Sequence, residues 1–280
     1  MKATSRTLAA LLLVFLAVRL AAQEAVPQPR IHMLPANRPL STGFSLAAGF
    51  AGTDVTYHGG PVIAQATVVF IFWGPEFATG GTDHKYAVTL QGFRGIFGTS
   101  QEYKVLGQYG VNPSNLAAGT PDWFDTSTPP TNVTDSDVQA EVTRYLESNT
   151  FSASTVYEVV IPSASYSSFD GEDSCGGPNL AYCAYYSFYT SGSDNVIYSI
   201  QPYASCSGCQ VSGWTPAQNE EHFIGQETVD AVTDPLGTAW WDSRTGENIA
   251  DLCTWSPPPY LMGGYAYEYV WSNKADACVK

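Results

Sequence analysis

Thr215–Cys253 reads TPAQNEEHFIGQETVDAVTDPLGTAWWDSRTGENIADLC, and its punctuation marks one long helix in the C-terminal half. Thr215 suits an N-cap, Pro216 the first helical position, and Gln218 completes a capping-box spacing. Pro235 disfavours helical backbone at Asp234 and Gly237 follows, so the spacing predicts a helix that stops near Thr233.

Inside that helix Gln226, Glu227 and Asp230 occupy the three defining places of an H-E-x-x-H pattern. Residues i and i+4 share a helix face, so two ligands there can grip one cation while i+1 reaches an attacking water. Glu227 is therefore the candidate general base, and Gln226, Asp230 and the later Glu247 are candidate metal ligands. An amide oxygen with carboxylates suits calcium, magnesium or manganese better than zinc. His222, one turn before Gln226, is the nearest imidazole that could substitute.

Outward from the helix, Val62–Trp73 contains a continuous apolar, β-branched run that suits a buried central strand, ended by Gly74-Pro75. His84–Phe97 and Glu102–Tyr109 carry apolar spacing for helices, and Ser136–Ser148 has Val138, Val142, Tyr145 and Leu146 on one face. Val156–Pro162 reads as a second strand. Leu180–Thr190 and Asn195–Tyr203 read as a strand pair joined at Ser191–Asp194. Thr120–Thr134 reads as a loop, and its Asn132-Val133-Thr134 matches the glycosylation acceptor pattern at Asn132.

Residues 1–22 read as a secretory signal peptide, with Lys2 and Arg6 before a short apolar run and Ala21-Ala22 before a cut. Residues 23–54 are rich in Pro, Ala and Gly and read as a flexible leader, leaving 55–280 as one domain. No later segment approaches the roughly 18 apolar residues of a membrane span. The formal charge of −14 becomes −17 once Lys2, Arg6 and Arg19 leave with the signal, so nucleic acid and anionic lipid are poor partners.

Cys175, Cys183, Cys206, Cys209, Cys253 and Cys278 form an even set, which in an exported chain implies disulfides. Six cysteines allow fifteen pairings. Nearest-neighbour pairing (Cys175–Cys183, Cys206–Cys209, Cys253–Cys278) is one of these and is taken as the working expectation. The C-x-x-C at Cys206–Cys209 lacks a surrounding βαβ unit, so a structural disulfide is favoured over redox chemistry. No G-x-S-x-G elbow or phosphate-binding glycine loop is present. Trp214, Trp240, Trp241, Trp255, Tyr260, Tyr265 and Tyr267 could stack on sugars or cover a loop-rich half.

Several stretches together resemble the plant phosphate-induced/EXORDIUM family and its microbial relatives. Tyr57-His58-Gly59-Gly60-Pro61 is similar to that family's Tyr-His-x-Gly-Pro, and Phe72-Trp73-Gly74 to its aromatic-Gly strand end. Cys183-Ala184-Tyr185-Tyr186 resembles a Cys-Gly-Phe-His segment. Gln226–Asp230, Asp234-Pro235-Leu236, Ala239-Trp240-Trp241 and Glu247–Cys253 resemble a His-Glu-Leu-Ala-Glu helix with its trailing turn and Glu-Ile-Ala-Asp-Leu-Cys. The chain departs where that family has histidines, at Gln226 and Tyr186, which removes two good zinc ligands.

The resemblance implies an α+β fold, a zincin-like mixed β-sheet with flanking helices, and a secreted protein of the extracellular space or cell wall. Two functions follow as expectations. One is a binding protein with a decayed metal site and a polysaccharide partner. The other is a secreted metallopeptidase-like hydrolase acting on peptide, with zinc or calcium at non-standard ligands and Glu227 as base.

Overall fold

The structure, a computed structural model, describes residues 32–35, 55–119 and 121–280. The signal peptide expected at 1–22 and the remainder of the leader lie outside these residues. The elements, in chain order, are β1 (His32–Pro35), β2 (Val55–Tyr57), β3 (Thr67–Trp73), α1 (His84–Phe97), α2 (Gln101–Val105), β4 (Trp123–Asp125), β5 (Asn132–Thr134) and α3 (Asp135–Leu146). There follow β6 (Thr155–Ile161), β7 (Tyr166–Phe169), β8 (Glu172–Asp173), β9 (Tyr182–Ser191), β10 (Asp194–Pro202) and α4 (Pro216–Thr233). The last are β11 (Trp240–Asp242), β12 (Tyr260–Met262), β13 (Tyr265–Tyr267), β14 (Val270–Ser272) and β15 (Ala277–Val279).

One mixed sheet of order β1-β9-β10-β6-β3-β4 organises the chain. Strands β10, β6, β3 and β4 run parallel, while β9 pairs antiparallel with β10 and β1 antiparallel with β9. Both faces are covered, so β3 and β6 are buried almost end to end and read as continuous apolar runs. Val68, Phe70 and Phe72 face α1 and α4, while Val69, Ile71 and Trp73 face α3. That alternation is the period of two expected of a strand between two layers.

Differences from the sequence reading are local and have physical reasons. The strand read at Val62–Trp73 begins only at Thr67, because Ile63 N–H donates to the Val232 carbonyl at 2.8 Å and holds 62–66 against the end of α4. The stretch read as a loop over Thr120–Thr134 contains β4 and β5, each only three residues long. In the expected leader, 32–35 form β1, which occupies the free edge of β9 with His32 opposite Tyr186. Helix α4 runs over the predicted span, with the reciprocal Thr215–Gln218 capping box formed.

Two disulfide expectations are corrected. The bonds are Cys175–Cys206, Cys183–Cys209 and Cys253–Cys278, and of the nearest-neighbour pairs only the last is present. Cys206 and Cys209 flank a single 3₁₀ turn that lies against β9, so each reaches a different cysteine across the gap instead of its neighbour.

Candidate functional site

Helix α4 carries the residues singled out by the sequence, and the fold buries it on every side from Asn219 to Thr233. It packs against β9 and β10 on the sheet, against α1, and beneath β13. Gln226, Glu227 and Asp230 are therefore 1%, 3% and 1% exposed, which leaves no open coordination position of the kind a hydrolytic metal needs.

Gln226 and Asp230 both hold neighbouring segments inside the protein. The Gln226 amide donates to the Thr254 hydroxyl, and its carbonyl oxygen is buried without a hydrogen bond. Asp230 Oδ1 accepts the Ala250 N–H at 2.8 Å. Asp234, just past the helix, accepts the Ala239 N–H at 2.5 Å through Oδ1 and faces Asn248 Nδ2 at 3.4 Å through Oδ2. Asn248 also donates to the Tyr186 hydroxyl at 2.7 Å, which donates to the Asp234 carbonyl at 3.1 Å. The carboxyls after Glu227 thus lash residues 234–253 onto the end of α4. Tyr186 is part of that lashing.

Burial pushes the Glu227 and Asp230 carboxyls well above the ordinary range, and neighbouring carboxyls, Asp251 first, push them further. The Ala250 and Asp251 N–H groups pull Asp230 the other way. Burial likewise raises Glu158 to about 8; it accepts from Thr228 Oγ1 at 2.7 Å and Gln201 Nε2 at 3.2 Å in the middle of the sheet's α4-facing layer. Glu220 and Glu102 are fully buried and burial raises both, while Tyr86 and the Ala204 N–H pull Glu220, and the Glu268 N–H pulls Glu102, part of the way back. These are neutral carboxylic acids of a polar core, because an isolated buried carboxylate is far too costly.

Among the described residues, the one set of three Cys, His, Asp or Glu side chains with ligand atoms close enough for one ion is Cys175, Cys206 and Cys209. All three are in disulfides and cannot ligate as thiolates. Glu247 is exposed on the loop after β11, whereas Gln226 and Asp230 are buried on α4. His222, the possible substitute, is fully buried with Nδ1 3.0 Å from Glu268 Oε1. Burial lowers its imidazole to about 3 and raises the Glu268 carboxyl, so the pair is neutral on both sides.

If Asp230 is a latch, Asp230→Ala leaves the buried Ala250 N–H unpaired. The expected cost is about 2–3 kcal/mol in chemical denaturation, with faster hydrogen exchange at Ala250. Asp230→Asn keeps an acceptor oxygen and should lose less. Equal stability of Asp230→Ala and wild type removes the latch.

The remaining sequence candidates are scattered. His84 Nδ1 lies 2.9 Å from the Phe77 carbonyl. Asn132 is exposed on β5, and Thr134 caps α3. His58 and the two tryptophans meet at the ribbon of β2 and β11, where Trp240 pairs with Tyr57 and Trp241 with Thr56. There the His58 ring stacks on Trp241 with centroids 3.5 Å apart and planes 9° from parallel. Tyr57 is 52% exposed, with its hydroxyl on the Gly60 carbonyl at 2.6 Å. Thr56 and Ser243 hydroxyls lie 2.8 Å apart beside the stack.

A cavity of about 710 Å³ opens at the amino-terminal edge of the parallel strands, lined by 61–65, 153–154, 193–195 and 235–236 with Asn112, Phe151 and Ile197. Open sheets of this kind usually hold ligands at the carboxyl edge. At that edge the chain leaving β3 runs close to the chain leaving β6. Gly74, at φ +145, has no side chain, and a Cβ there would lie 3.2 Å from Pro162 Cγ. Sequence reasoning missed the cavity because its wall comes from the ends of separate strands and loops. The one available signal was the polar turn at Ser191–Asp194 facing Pro235-Leu236.

Comparison of the chain with protein-family models, curated proteins and solved structures finds no match. Among the described residues no helix is long and apolar enough to cross a membrane, and three disulfides close the C-terminal half.

Proposed function

We propose that this is an exported, EXORDIUM-like protein of the extracellular space or wall that works by holding glycan, not by metal-dependent hydrolysis. The observation that supports it most is the β2–β11 ribbon, which offers the exposed Tyr57 and the stacked His58–Trp241 pair beside the hydroxyls of Thr56 and Ser243. Flat rings take the apolar face of a sugar, and flanking hydroxyls take its polar edge. The stack is preordered, because His58 N–H bonds the Ala239 carbonyl at 2.7 Å and the imidazole Nε2 lies 3.1 Å from Thr56 Oγ1.

The zincin-like arrangement belongs to the same reading, supported by α4 and α1 lying together on one face of a mixed sheet. On this view α4 keeps the frame of a metal-binding helix and uses its acidic residues for latching. Retention of the mature protein on insoluble polysaccharides should exceed that of an equally acidic control protein. It should fall about tenfold in Tyr57→Ala/Trp241→Ala with the fold intact, and retention no better than the control rejects the reading. Near-stoichiometric bound metal in the purified protein, lost in Asp230→Ala, would instead restore the hydrolase centred on Glu227.

A further inference from the structure

The cavity at the amino-terminal edge of the sheet has a specific chemistry and a preformed wall. Its polar side chains are the amides of Gln65, Asn112 and Asn195, the hydroxyls of Ser154 and Ser193 and one carboxylate, Asp194; most of the remaining wall is apolar, with Val62, Ile63, Ile197 and Leu236 beside the half-buried ring of Phe151. No lysine, arginine or histidine is among the described residues that line it. An anionic ligand would find no counter-charge there, and the chain's formal charge of −14 repels it further. A single carboxylate supplies a hard divalent cation with little of the negative charge that replaces its water shell. The mixed wall suits a neutral ligand with hydroxyls on its edge and an apolar face, since side-chain amides offer a donor and an acceptor side by side to neighbouring hydroxyls and the apolar residues take the ring face.

The wall is held by main-chain bonds rather than by the ligand. Gly60 N–H donates to the Thr238 carbonyl at 2.7 Å, Ile63 N–H to Val232 at 2.8 Å and Asn112 N–H to Ala64 at 2.8 Å. The hydroxyls of Thr67 and Thr155, 2.8 Å apart, tie the starts of β3 and β6 together beside it. Its volume lies within the roughly 300–1,000 Å³ of small-molecule sites. The two strands of the aromatic ribbon lead straight into it, from Tyr57 to Pro61 on one side and from Leu236 to Trp240 on the other.

We infer that this cavity is a saccharide subsite. It takes a short neutral oligosaccharide, the end or a branch of the polymer whose length lies on the ribbon. The inference rests on the glycan-binding reading and adds the site and the charge class of the ligand.

The experiment titrates isotope-labelled full-length mature protein with cellohexaose, xylohexaose and N-acetylchitohexaose, with hexagalacturonate as the anionic counterpart, following amide shifts. At least one neutral probe should shift 62–65, Asn112 and 193–195 saturably, with the galacturonate probe at least about tenfold weaker. Asn112→Ala, an exposed side chain, should weaken the neutral probe about five- to tenfold. Leu236→Trp, which puts a bulky ring into the cavity, should weaken its binding at least about tenfold while polymer retention by the ribbon persists. Binding of a neutral probe without polymer retention upholds the cavity and rejects the ribbon. Polymer retention with no neutral probe shifting the cavity amides rejects the subsite and spares the ribbon. Equal binding of the galacturonate probe overturns the assigned charge class.

Discussion

Raising the pH from about 5 to about 8 is expected to lower the melting temperature by roughly 10–20 °C. Glu102, Glu158, Glu220, Glu221, Glu227, Asp230 and Glu268 are buried, and burial raises each carboxyl above its ordinary value, Glu221 to about 7 and Glu158 to about 8. The unfolded chain releases these protons near pH 4.3, so between that value and 7–8 the native state binds more protons than the unfolded one. Stability from such groups is complete below the unfolded value and is lost as pH rises through the folded one.

His222 acts in the opposite sense. Its folded value near 3 gives stability that is present above about pH 6.5 and lost as pH falls toward 3. One imidazole against seven carboxyls places the optimum in mild acid. Glu158 alone accounts for on the order of 5 kcal/mol at full titration, a large part of the 5–15 kcal/mol that holds an ordinary domain together. Glu158→Gln cannot titrate and keeps a carbonyl to accept from Thr228, so its melting profile should be flatter across this window. A wild-type melting temperature that is constant or rises from pH 5 to 8 overturns the assignment of these acids as neutral.

The second large effect concerns the crossed disulfides. Cys183–Cys209 closes a separation of 26 residues and Cys175–Cys206 one of 31, which corresponds to about 3–4 kcal/mol each through restriction of the unfolded chain. Replacing Cys183 and Cys209 with alanine should lower the unfolding free energy by that amount. Removing both bonds should cost less than the sum, because the two loops overlap and constrain the same segment before α4. Peptide mapping without reduction should recover 175 with 206 and 183 with 209. A peptide joining 175 to 183 would show the opposite pairing.

The capped helix, the buried strands, the hairpin of β9 and β10 and the amphipathic α3 were all legible before folding, because local rules write them. Pro216 and Thr215 start α4, Pro235 ends it, and the run into Trp73 has the apolar continuity of a strand covered on both sides. The resemblance of Tyr57–Pro61 and Trp240-Trp241 to one family's motifs drew attention to two segments that pair as β2 and β11.

What the sequence determined, then, was which segments are helix or strand, where α4 begins and ends, and which side chains are capable of acid or metal chemistry. Their burial and partners were decided by tertiary structure. The i, i+4 spacing of Gln226 and Asp230 is a property of any helix, but whether that face opens to solvent depends on β13, α1 and the 234–253 loop closing over it. Cysteine partners, the close approach of Gly74 to Pro162, and the cavity at the amino-terminal edge all join residues far apart in the chain. No local periodicity encodes such contacts, since they exist only once the sheet has brought its strand ends together.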